Sequence, residues 1–239
     1  MKTTTLDYRD ASTVFKGFLA DPEANGPRPG VLVIHEAPGL DEHVKRRSQM
    51  LAELGYVAFC ADMYGEGKVA ATTDEAMAML APVRDNQVLL RGRVKASFDA
   101  LTALPQVDKN KIAAIGYCFG GMVALELARS GAPTVGTVAF HGMLATKTPD
   151  DARNIKGKVL ACTGADDPIV PAEQVAAFQK EMTAAGIDWQ VISYGGAKHA
   201  FTNRDAAKAG RPPLAYNKAA DERSWIAMKD FFAEIFGRA

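Results

Sequence analysis

The sequence predicts an α/β fold in which a mostly parallel central sheet is covered by helices on both faces. Three observations lead to this expectation. Apolar runs of strand length alternate with amphipathic segments of helix length along the chain. Turn-forming residues separate them, most densely in Asp21–Gly30. In the middle of the chain, the glycine-rich segment Gly116–Gly121 joins an apolar strand to a helix.

Each element is assigned from its own pattern. Strands are short apolar or β-branched runs between turn residues, and the first two form a hairpin. The predicted strands are Thr4–Tyr8, Thr13–Ala20, Val31–His35, Tyr56–Cys60, Ile112–Ile115, Thr134–Phe140, Val159–Thr163 and Trp189–Ser193. The predicted helices are Glu42–Leu54, Thr73–Leu80, Val83–Ala103, a helix through Met122–Ala128 that Gly131 can cap, Ala172–Ala185 and Tyr216–Phe236. Because no repeat or long linker interrupts this order, we expect one domain over residues 1–239.

Composition excludes several classes of function. The chain has 239 residues, 48% of them hydrophobic, which suits one large core. Its 28 basic residues equal its 28 acidic ones, so we expect no binding to nucleic acid or to an anionic membrane. We find no signal peptide or membrane-spanning run and expect a cytoplasmic protein. It should act as a monomer or small homo-oligomer on a small-molecule substrate.

The segment Gly116–Gly121 is the most informative part of the sequence. The pattern strand, Gly-X-nucleophile-X-Gly and helix is typical of a nucleophile elbow. Its turn is so tight that small residues are needed on both sides. The side chain at its centre, Cys118, is expected at the upper edge of the sheet, beside a helix N-terminus that favours an anion. The sequence therefore predicts an esterase-like enzyme with a cysteine nucleophile.

The other two cysteines, Cys60 and Cys162, lie in apolar, strand-like runs, where cysteine behaves as a small hydrophobic residue. With an odd number of cysteines and Cys118 needed as a free thiol, a reducing compartment fits best. Pairing of Cys60 with Cys162 in an oxidising compartment is the alternative.

A cysteine nucleophile needs a base, and the base needs a partner that orients it. In this fold the three follow the chain order nucleophile, acid, histidine. Among the four histidines, only His199 follows a suitable acid, and it lies in a glycine-rich loop after the last strand. The alternative is an exposed loop histidine without a catalytic role.

The acid is expected in the turn after Val159–Thr163, where Asp166 and Asp167 compete. Pro168 biases Asp167 towards an extended conformation. Successive side chains of an extended turn point in different directions, so only one is expected to meet His199. We choose Asp167, and the reverse assignment stays open.

A set of Cys118, Asp167 and His199 would form an acyl enzyme from an ester or lactone. The tetrahedral oxyanion needs donors, worth on the order of 3 kcal/mol each. We expect the backbone N–H groups of Phe119 and Ala37 to supply them.

The chain resembles the dienelactone hydrolase (carboxymethylenebutenolidase) family of α/β-hydrolases. The similarity lies in five segments spread over nearly the full length, and the Gly-Tyr-Cys-X-Gly-Gly elbow with a His-Glu loop is the most specific part. The segments are His35–Leu40, Ala61–Gly65, Gly116–Gly121, Asp167–Pro171 and His199–Phe201.

This resemblance implies a role for Glu36, which matches a glutamate that lies near the resting thiol and is displaced when substrate binds. Such a carboxylate takes part in activating the cysteine. The alternative is that Glu36 caps the helix near Glu42 or faces solvent.

The resemblance also implies two arginines that hold a substrate carboxylate, but this chain departs from that pattern. Asn203 stands four residues after His199, where an arginine is expected, and Arg204 follows one place later. Arg84, Arg91 and Arg93 are candidates for the other arginine, although none has the expected spacing from Cys118, and Arg84 is chosen. The alternative for Arg84 and Arg204 is solvated surface charge. Tyr64 and His141 are further candidates for lining the substrate pocket. The sequence has no metal-binding or nucleotide-binding motif, so we expect no metal and no cofactor.

Three functions are therefore considered. The first is a cysteine hydrolase for a small lactone or enol ester. The second is a general carboxylesterase or thioesterase of the same fold. The third is a non-catalytic protein that binds a ligand, for which a full set of Cys118, Asp167 and His199 would be unnecessary.

Overall fold

The computed structural model describes residues 1–237, which group into two compact units. The first unit ends at Ile115 and the second begins at Gly116. Strands and helices alternate in both, and the strand pairings within them are mostly parallel, so the predicted α/β class is confirmed. One domain over residues 1–239 stays a prediction, and its last two residues lie outside the described part of the chain.

In the first unit, an antiparallel hairpin leads into parallel strands. β1 (Lys2–Asp10) pairs with β2 (Thr13–Asp21), and β2 pairs in antiparallel fashion with β4 (Val57–Ala61). β3 (Arg28–Ile34) runs parallel to β4. β5 (Val107–Tyr117) is the last strand to begin in this unit. Because β3 and β4 are parallel, the loops that follow them leave the same edge of the sheet.

Three helices of the first unit each begin at a side-chain cap, which accepts a hydrogen bond from a first-turn N–H. These helices and their caps are α1 (Glu42–Glu53) with Asp41, α2 (Thr73–Arg84) with Thr72, and α3 (Gln87–Thr102) with Asn86. Since Asp41 caps α1, the alternative that Glu36 is its cap is wrong.

The predicted boundary between α2 and α3 is wrong. The sequence predicts that one helix ends at Leu80 and the next begins at Val83, whereas α2 continues through Pro82 to Arg84. Proline removes one N–H from a helix and disfavours its continuation, but it does not forbid another turn. The break comes where the Asn86 side chain accepts from the N–H of Leu89 and starts α3.

In the second unit, three parallel strands alternate with helices. Its elements are α4 (Phe119–Arg129), β6 (Gly136–Phe140), β7 (Lys158–Gly164), α5 (Ala172–Ala184), β8 (Trp189–Tyr194) and α6 (Lys218–Phe236). β7 pairs with both β6 and β8. Gly131, with φ +86°, follows the last residue of α4 in the left-handed conformation expected of a helix cap. Two short 3₁₀ turns, at Pro149–Asn154 and Ala206–Ala209, were not predicted.

A buried arginine ties the elements of the second unit together. Arg129, at the end of α4, is fully buried and its Nε donates to Glu181 on α5 over 2.7 Å. Its Nη1 donates to Glu126 and its Nη2 to the carbonyl oxygen of Leu144, in the loop after β6. Because a buried charge is costly unless it is paired and hydrogen-bonded, Arg129 needs these partners. It holds α4, α5 and the loop after β6 in fixed positions.

Within residues 1–237, no helix combines the length and the apolar character that crossing a bilayer requires.

Candidate active site

Cys118 lies on a turn that only small neighbours allow. Its backbone has φ +52° and ψ −115°, a conformation that side-chain-bearing residues rarely adopt. A Cβ added at Gly116 would lie 1.9 Å from the carbonyl oxygen of Gly120. A Cβ at Gly121 would lie 2.8 Å from Cα of Gly142. The glycines are therefore needed for close backbone approach, as the nucleophile-elbow interpretation requires.

The thiol of Cys118 contacts an imidazole. Its Sγ lies 3.0 Å from Nε2 of His199, which is 81 residues later in the chain. Cys118 is partly exposed, whereas His199 is buried. A thiol of a partly exposed residue, in contact with a ring nitrogen, can pass its proton to that ring.

Of the two neighbouring aspartates, Asp167 contacts His199. Its Oδ2 accepts from Nδ1 of His199 over 2.7 Å. Its Oδ1 accepts from the N–H groups of Ile169 and Val170, which fixes the carboxylate. Asp166, in contrast, is exposed. Since Nδ1 of His199 carries the proton in this bond, Nε2 is the nitrogen that faces Cys118 as an acceptor.

The backbone of His199 is held on both sides by a later segment. Its N–H donates to the carbonyl oxygen of Pro213, and its own carbonyl oxygen accepts from the N–H of Ala215. The next residue, Ala200, has φ +59°, a second unusual backbone conformation near the thiol. Strained residues of this kind persist only where the surroundings enforce them, and they concentrate at functional sites.

Opposing influences set the protonation of His199. Burial alone would lower its pKa, but the neighbouring Cys118 thiolate and the Asp167 carboxylate outweigh burial and raise the pKa to about 10. The group is therefore well suited to holding a proton that the thiol has released.

A second histidine, His141, lies next to this pair. Its ring centroid is 5.3 Å from that of His199, and it is fully buried. Nδ1 of His141 accepts from the backbone N–H of Cys118 over 3.1 Å. Its Nε2 lies 2.8 Å from the hydroxyl of Thr202, three residues after His199. His141 is predicted from the sequence to line the pocket, whereas Thr202 is not predicted, since its contact with His141 joins residues 61 positions apart.

In the first unit, the predicted residues of the loop after β3 are tightly organised. Nδ1 of His35 lies 2.6 Å from the carbonyl oxygen of Glu36, and its Nε2 accepts from the N–H of Met63. His35 is therefore protonated on Nδ1 and donates to Glu36. Because the C=O and N–H of one trans peptide point in opposite directions, the N–H of Ala37 points away from this ring. The hydroxyl of Tyr64 donates to the carbonyl oxygen of Ala37 over 2.8 Å.

Glu36 itself is 5% exposed. Its predicted role in gating the thiol, and that of the Ala37 N–H towards an oxyanion, stay predictions. Phe119 is the first residue of α4, where the N–H lies outside the intrahelical hydrogen-bond ladder. The hydroxyl of Tyr64 already donates a hydrogen bond within the first unit, to the carbonyl oxygen of Ala37.

The two candidate arginines lie in different surroundings. Arg84, in the last turn of α2, forms a two-pronged ion pair with the adjacent Asp85, at 2.8 and 3.0 Å. Arg204 is exposed, and Asn203 beside it is buried, with its side chain accepting from the N–H of Asp205. Binding of a substrate carboxylate by either arginine stays a prediction.

The remaining cysteines are buried free thiols. Burial raises the pKa of Cys60 well above its ordinary value and raises that of Cys162 to about 12. They are therefore poor nucleophiles. Among residues 1–237, no group of three or more His, Cys, Asp or Glu side chains is arranged to hold a metal ion.

Comparison with known proteins identifies the family. The model of the dienelactone hydrolase family matches residues 15–236. Protein usf of Aquifex pyrophilus is 30% identical over 234 residues, which cover 96% of this chain and 97% of that protein. A Yersinia pestis protein named "Putative carboxymethylenebutenolidase" is 30% identical over 230 residues, covering 91% of this chain and 82% of its own.

A solved structure resembles this chain in both fold and sequence. The crystal structure of a dienelactone hydrolase-like promiscuous phosphotriesterase from metagenomic libraries has a TM-score of 0.95. Its sequence is 43% identical, and the match covers 98% of both chains. The α/β-hydrolase fold expected from the resemblance is thereby confirmed, and this chain belongs to the dienelactone hydrolase family of hydrolases.

Proposed function

We propose that the protein hydrolyses a small lactone or an enol or carboxylic ester through a cysteine acyl enzyme. One observation carries the proposal. Sγ of Cys118, the imidazole of His199 and the carboxylate of Asp167 form a continuous chain of contacts at 3.0 and 2.7 Å. Nucleophile, base and orienting acid are thus within hydrogen-bond reach of one another, as acyl transfer requires.

In the first half of the reaction, Nε2 of His199 takes the proton of the Cys118 thiol. The thiolate attacks the carbonyl carbon and forms a C–S bond, and the carbonyl oxygen becomes an oxyanion. When this intermediate collapses, the C–O bond of the ester breaks and His199 returns its proton to the leaving oxygen. Asp167 stabilises the imidazolium while it carries the proton.

In the second half, His199 takes a proton from water, and the hydroxide attacks the thioester carbon. The C–S bond breaks, Cys118 leaves as a thiolate and is reprotonated, and a carboxylic acid is released. With a lactone, acid and hydroxyl belong to one product molecule. We assign the N–H groups of Phe119 and Ala37 to the oxyanion, each worth on the order of 3 kcal/mol.

We assign Glu36 to control of the thiol, because a carboxylate that is 5% exposed is costly to keep charged and responds to its surroundings. Iodoacetamide labelling tests this assignment. Labelling of Cys118 should be faster with a bound substrate analogue that is not turned over, and Glu36→Gln should remove the difference. Equal labelling with and without the analogue in the unaltered protein would exclude gating.

The nucleophile is tested by Cys118→Ala, with Cys162→Ala as a matched control in the same unit. Steady-state rates are measured on a dienelactone, on an uncharged lactone and on p-nitrophenyl acetate. Loss of a nucleophile that works as part of a unit removes most of the catalysis, roughly 10⁴-fold or more. Cys162→Ala should retain activity, since that thiol is buried and its pKa is raised to about 12. Unchanged turnover in Cys118→Ala would contradict the proposal.

The same substrates separate lactone hydrolysis from general esterase or thioesterase activity. If Arg84 or Arg204 binds a substrate carboxylate, the carboxylated lactone should be preferred, and replacing the arginine that binds it (Arg84→Met or Arg204→Met) should remove the preference through KM. A uniform rate on lactones, esters and thioesters would favour the broader activity. Absence of turnover on all of them would favour a binding protein.

Phosphotriester hydrolysis is a second candidate function, favoured by the 43% identity to a promiscuous phosphotriesterase. The Cys118 thiolate would attack phosphorus, forming an S–P bond as an aryl oxide leaves, and water would then release a phosphodiester. A dialkyl aryl phosphate tests this through the number of turnovers. Release of many equivalents of the phenol per enzyme supports it. One equivalent followed by inactivity would show phosphorylation without turnover and exclude it.

A further inference from the structure

The backbone of Cys118 and the loop of His199 are joined by one buried side chain, that of His141. This residue directly follows β6, and its N–H donates to the carbonyl oxygen of Cys162 on β7. Its own φ is +41°, outside the usual range for a residue with a side chain. The next residue, Gly142, packs closely on Gly121, and a Cβ added at Gly142 would lie 2.7 Å from Cα of Gly121. The ring is thus held in place by the surrounding backbone.

The hydrogen bonds of His141 define which nitrogen carries its proton. The N–H of Cys118 is shared between the carbonyl oxygen of Phe140, at 3.0 Å, and Nδ1 of His141, at 3.1 Å. Because an N–H can only donate, Nδ1 of His141 must present its lone pair. The one proton of a neutral ring is then on Nε2, which donates to the hydroxyl of Thr202 over 2.8 Å. A doubly protonated ring would place two donors, Nδ1–H and the N–H of Cys118, against each other. The arrangement therefore requires neutral His141 with its proton on Nε2.

We propose that His141 is a positioning residue, held as the Nε2–H tautomer by the N–H of Cys118 and anchored by Thr202, that supports the Cys118 backbone in its strained conformation and couples it to the His199 loop. The inference rests on the proposed roles of Cys118 and His199. Thr202 follows His199 by three residues, and the carbonyl oxygen of Ala200 between them accepts from the N–H of Asn203. A shift of either loop would therefore be transmitted to the other through the ring.

The same facts disfavour substrate binding by His141. The ring is fully buried, and each nitrogen already has a partner inside the protein. Its edge contacts with the rings of Phe201 and His199 close further sides. A residue that binds substrate alters KM when it is replaced, whereas a residue that places the nucleophile alters kcat.

The tautomer is measured directly by ¹⁵N NMR on the unaltered protein with labelled histidine. The His141 signals are assigned by their loss in His141→Asn. We expect an unprotonated Nδ1 and a protonated Nε2 at neutral pH. A ring protonated on Nδ1, or on both nitrogens, would overturn the inference, because Nδ1 would then have no lone pair for the Cys118 N–H. This result does not depend on whether Cys118 is catalytic.

Two variants of Thr202 test the coupling. Thr202→Val keeps the shape of the side chain but removes the acceptor for Nε2–H, whereas Thr202→Ser keeps the hydroxyl. Thr202→Val leaves Nε2–H buried without its hydroxyl partner, so we expect its ¹⁵N signal to shift and kcat to fall by about 10-fold to 10²-fold, since small displacements of reacting groups cost that much. Thr202→Ser should restore the Nε2–H signal and kcat. A Thr202→Val protein with an unchanged Nε2–H signal and unchanged kcat would overturn the coupling.

His141→Asn provides the kinetic distinction. The amide oxygen of Asn can accept near the position of Nδ1, so much of kcat should be retained, whereas His141→Leu should lose about 10²-fold in kcat with KM nearly unchanged. A rise in KM at constant kcat in both variants would assign the ring to substrate and overturn the inference. If Cys118→Ala remains active, the proposed function fails, but the tautomer measurement still tests the contact.

Discussion

His35 directly follows β3, and His199 lies in the loop after β8. Both are buried, yet their pKa values are shifted in opposite directions. Burial lowers the pKa of His35, and the backbone carbonyl of Glu36 and the charge of Asp62 do not offset it. Burial acts in the same sense on His199, but there Cys118 and Asp167 raise the pKa to about 10. Burial alone therefore does not decide whether a histidine is charged.

The difference lies in what surrounds each ring. His35 is bonded to backbone groups of Glu36 and Met63, and these carry no net charge. The nearby Asp62 carboxylate is already engaged, since it accepts from four backbone N–H groups, those of Lys16, Tyr64, Gly65 and Gly67. His199 instead has an ionisable group on each nitrogen. The His35 ring is neutral and fixes the backbone of its loop, whereas the His199 ring is suited to proton transfer.

Removing the carboxylate from His199 should have the largest effect. Asp167→Asn leaves a group of the same shape that no longer holds the imidazolium or its tautomer, and we expect kcat to fall by about 10⁴-fold. Asp166→Asn is the matched control, because Asp166 is exposed and should leave kcat unchanged. Ester hydrolysis rates of the two variants provide the test. Equal loss in both would mean that the turn, and not the contact with His199, matters.

Removing the thiol should bring the pKa of His199 closer to that of His35. The negative charge of Cys118 is the largest of the influences that raise the pKa of His199, so Cys118→Ala leaves burial opposed mainly by Asp167. We expect the pKa of His199 to fall from about 10. NMR titration of its ring in the unaltered protein and in Cys118→Ala measures the change. An unchanged pKa would show that Asp167 alone sustains the charge.

Sequence reasoning found the residues whose signals are local. The elbow around Cys118 depends on glycines within a few positions, and Asp167 and His199 lie in short turns directly after strands. It missed the bond between His141 and Thr202, which joins residues 61 positions apart. It also missed the buried charge of Arg129. Such contacts depend on tertiary packing, and no periodicity or turn motif records them.

The helix boundary at Pro82 was missed for a related reason. Proline disfavours a helix locally, but the packing of neighbouring residues decides whether the helix continues. Leu80 and Val83, on either side of Pro82, are both buried. Their burial accounts for the extra turn of α2. Which residues of a helix are buried depends on tertiary packing, so the local sequence does not reveal it.

The smallest expected effect concerns the acid stability that His35 controls. Its folded-state pKa lies below the value of 6.5 for an ordinary histidine, so the folded protein binds fewer protons than the unfolded chain once pH falls below 6.5. The contribution of His35 to stability is thus complete above pH 6.5 and declines as the pH falls. His35→Asn should reduce the slope of unfolding free energy against pH by up to about 1.4 kcal/mol per pH unit.

Urea unfolding at a series of pH values between neutrality and moderate acid measures this slope. His43→Asn is the reference variant, because burial and then the charges of Arg47 and Arg46 lower the pKa of His43 to about 3. Its replacement should reduce the slope in the same direction. If His43→Asn reduces the slope and His35→Asn does not, then His35 is protonated in the folded protein. Its bond from the Met63 N–H would then be absent, and the contrast with His199 would be lost.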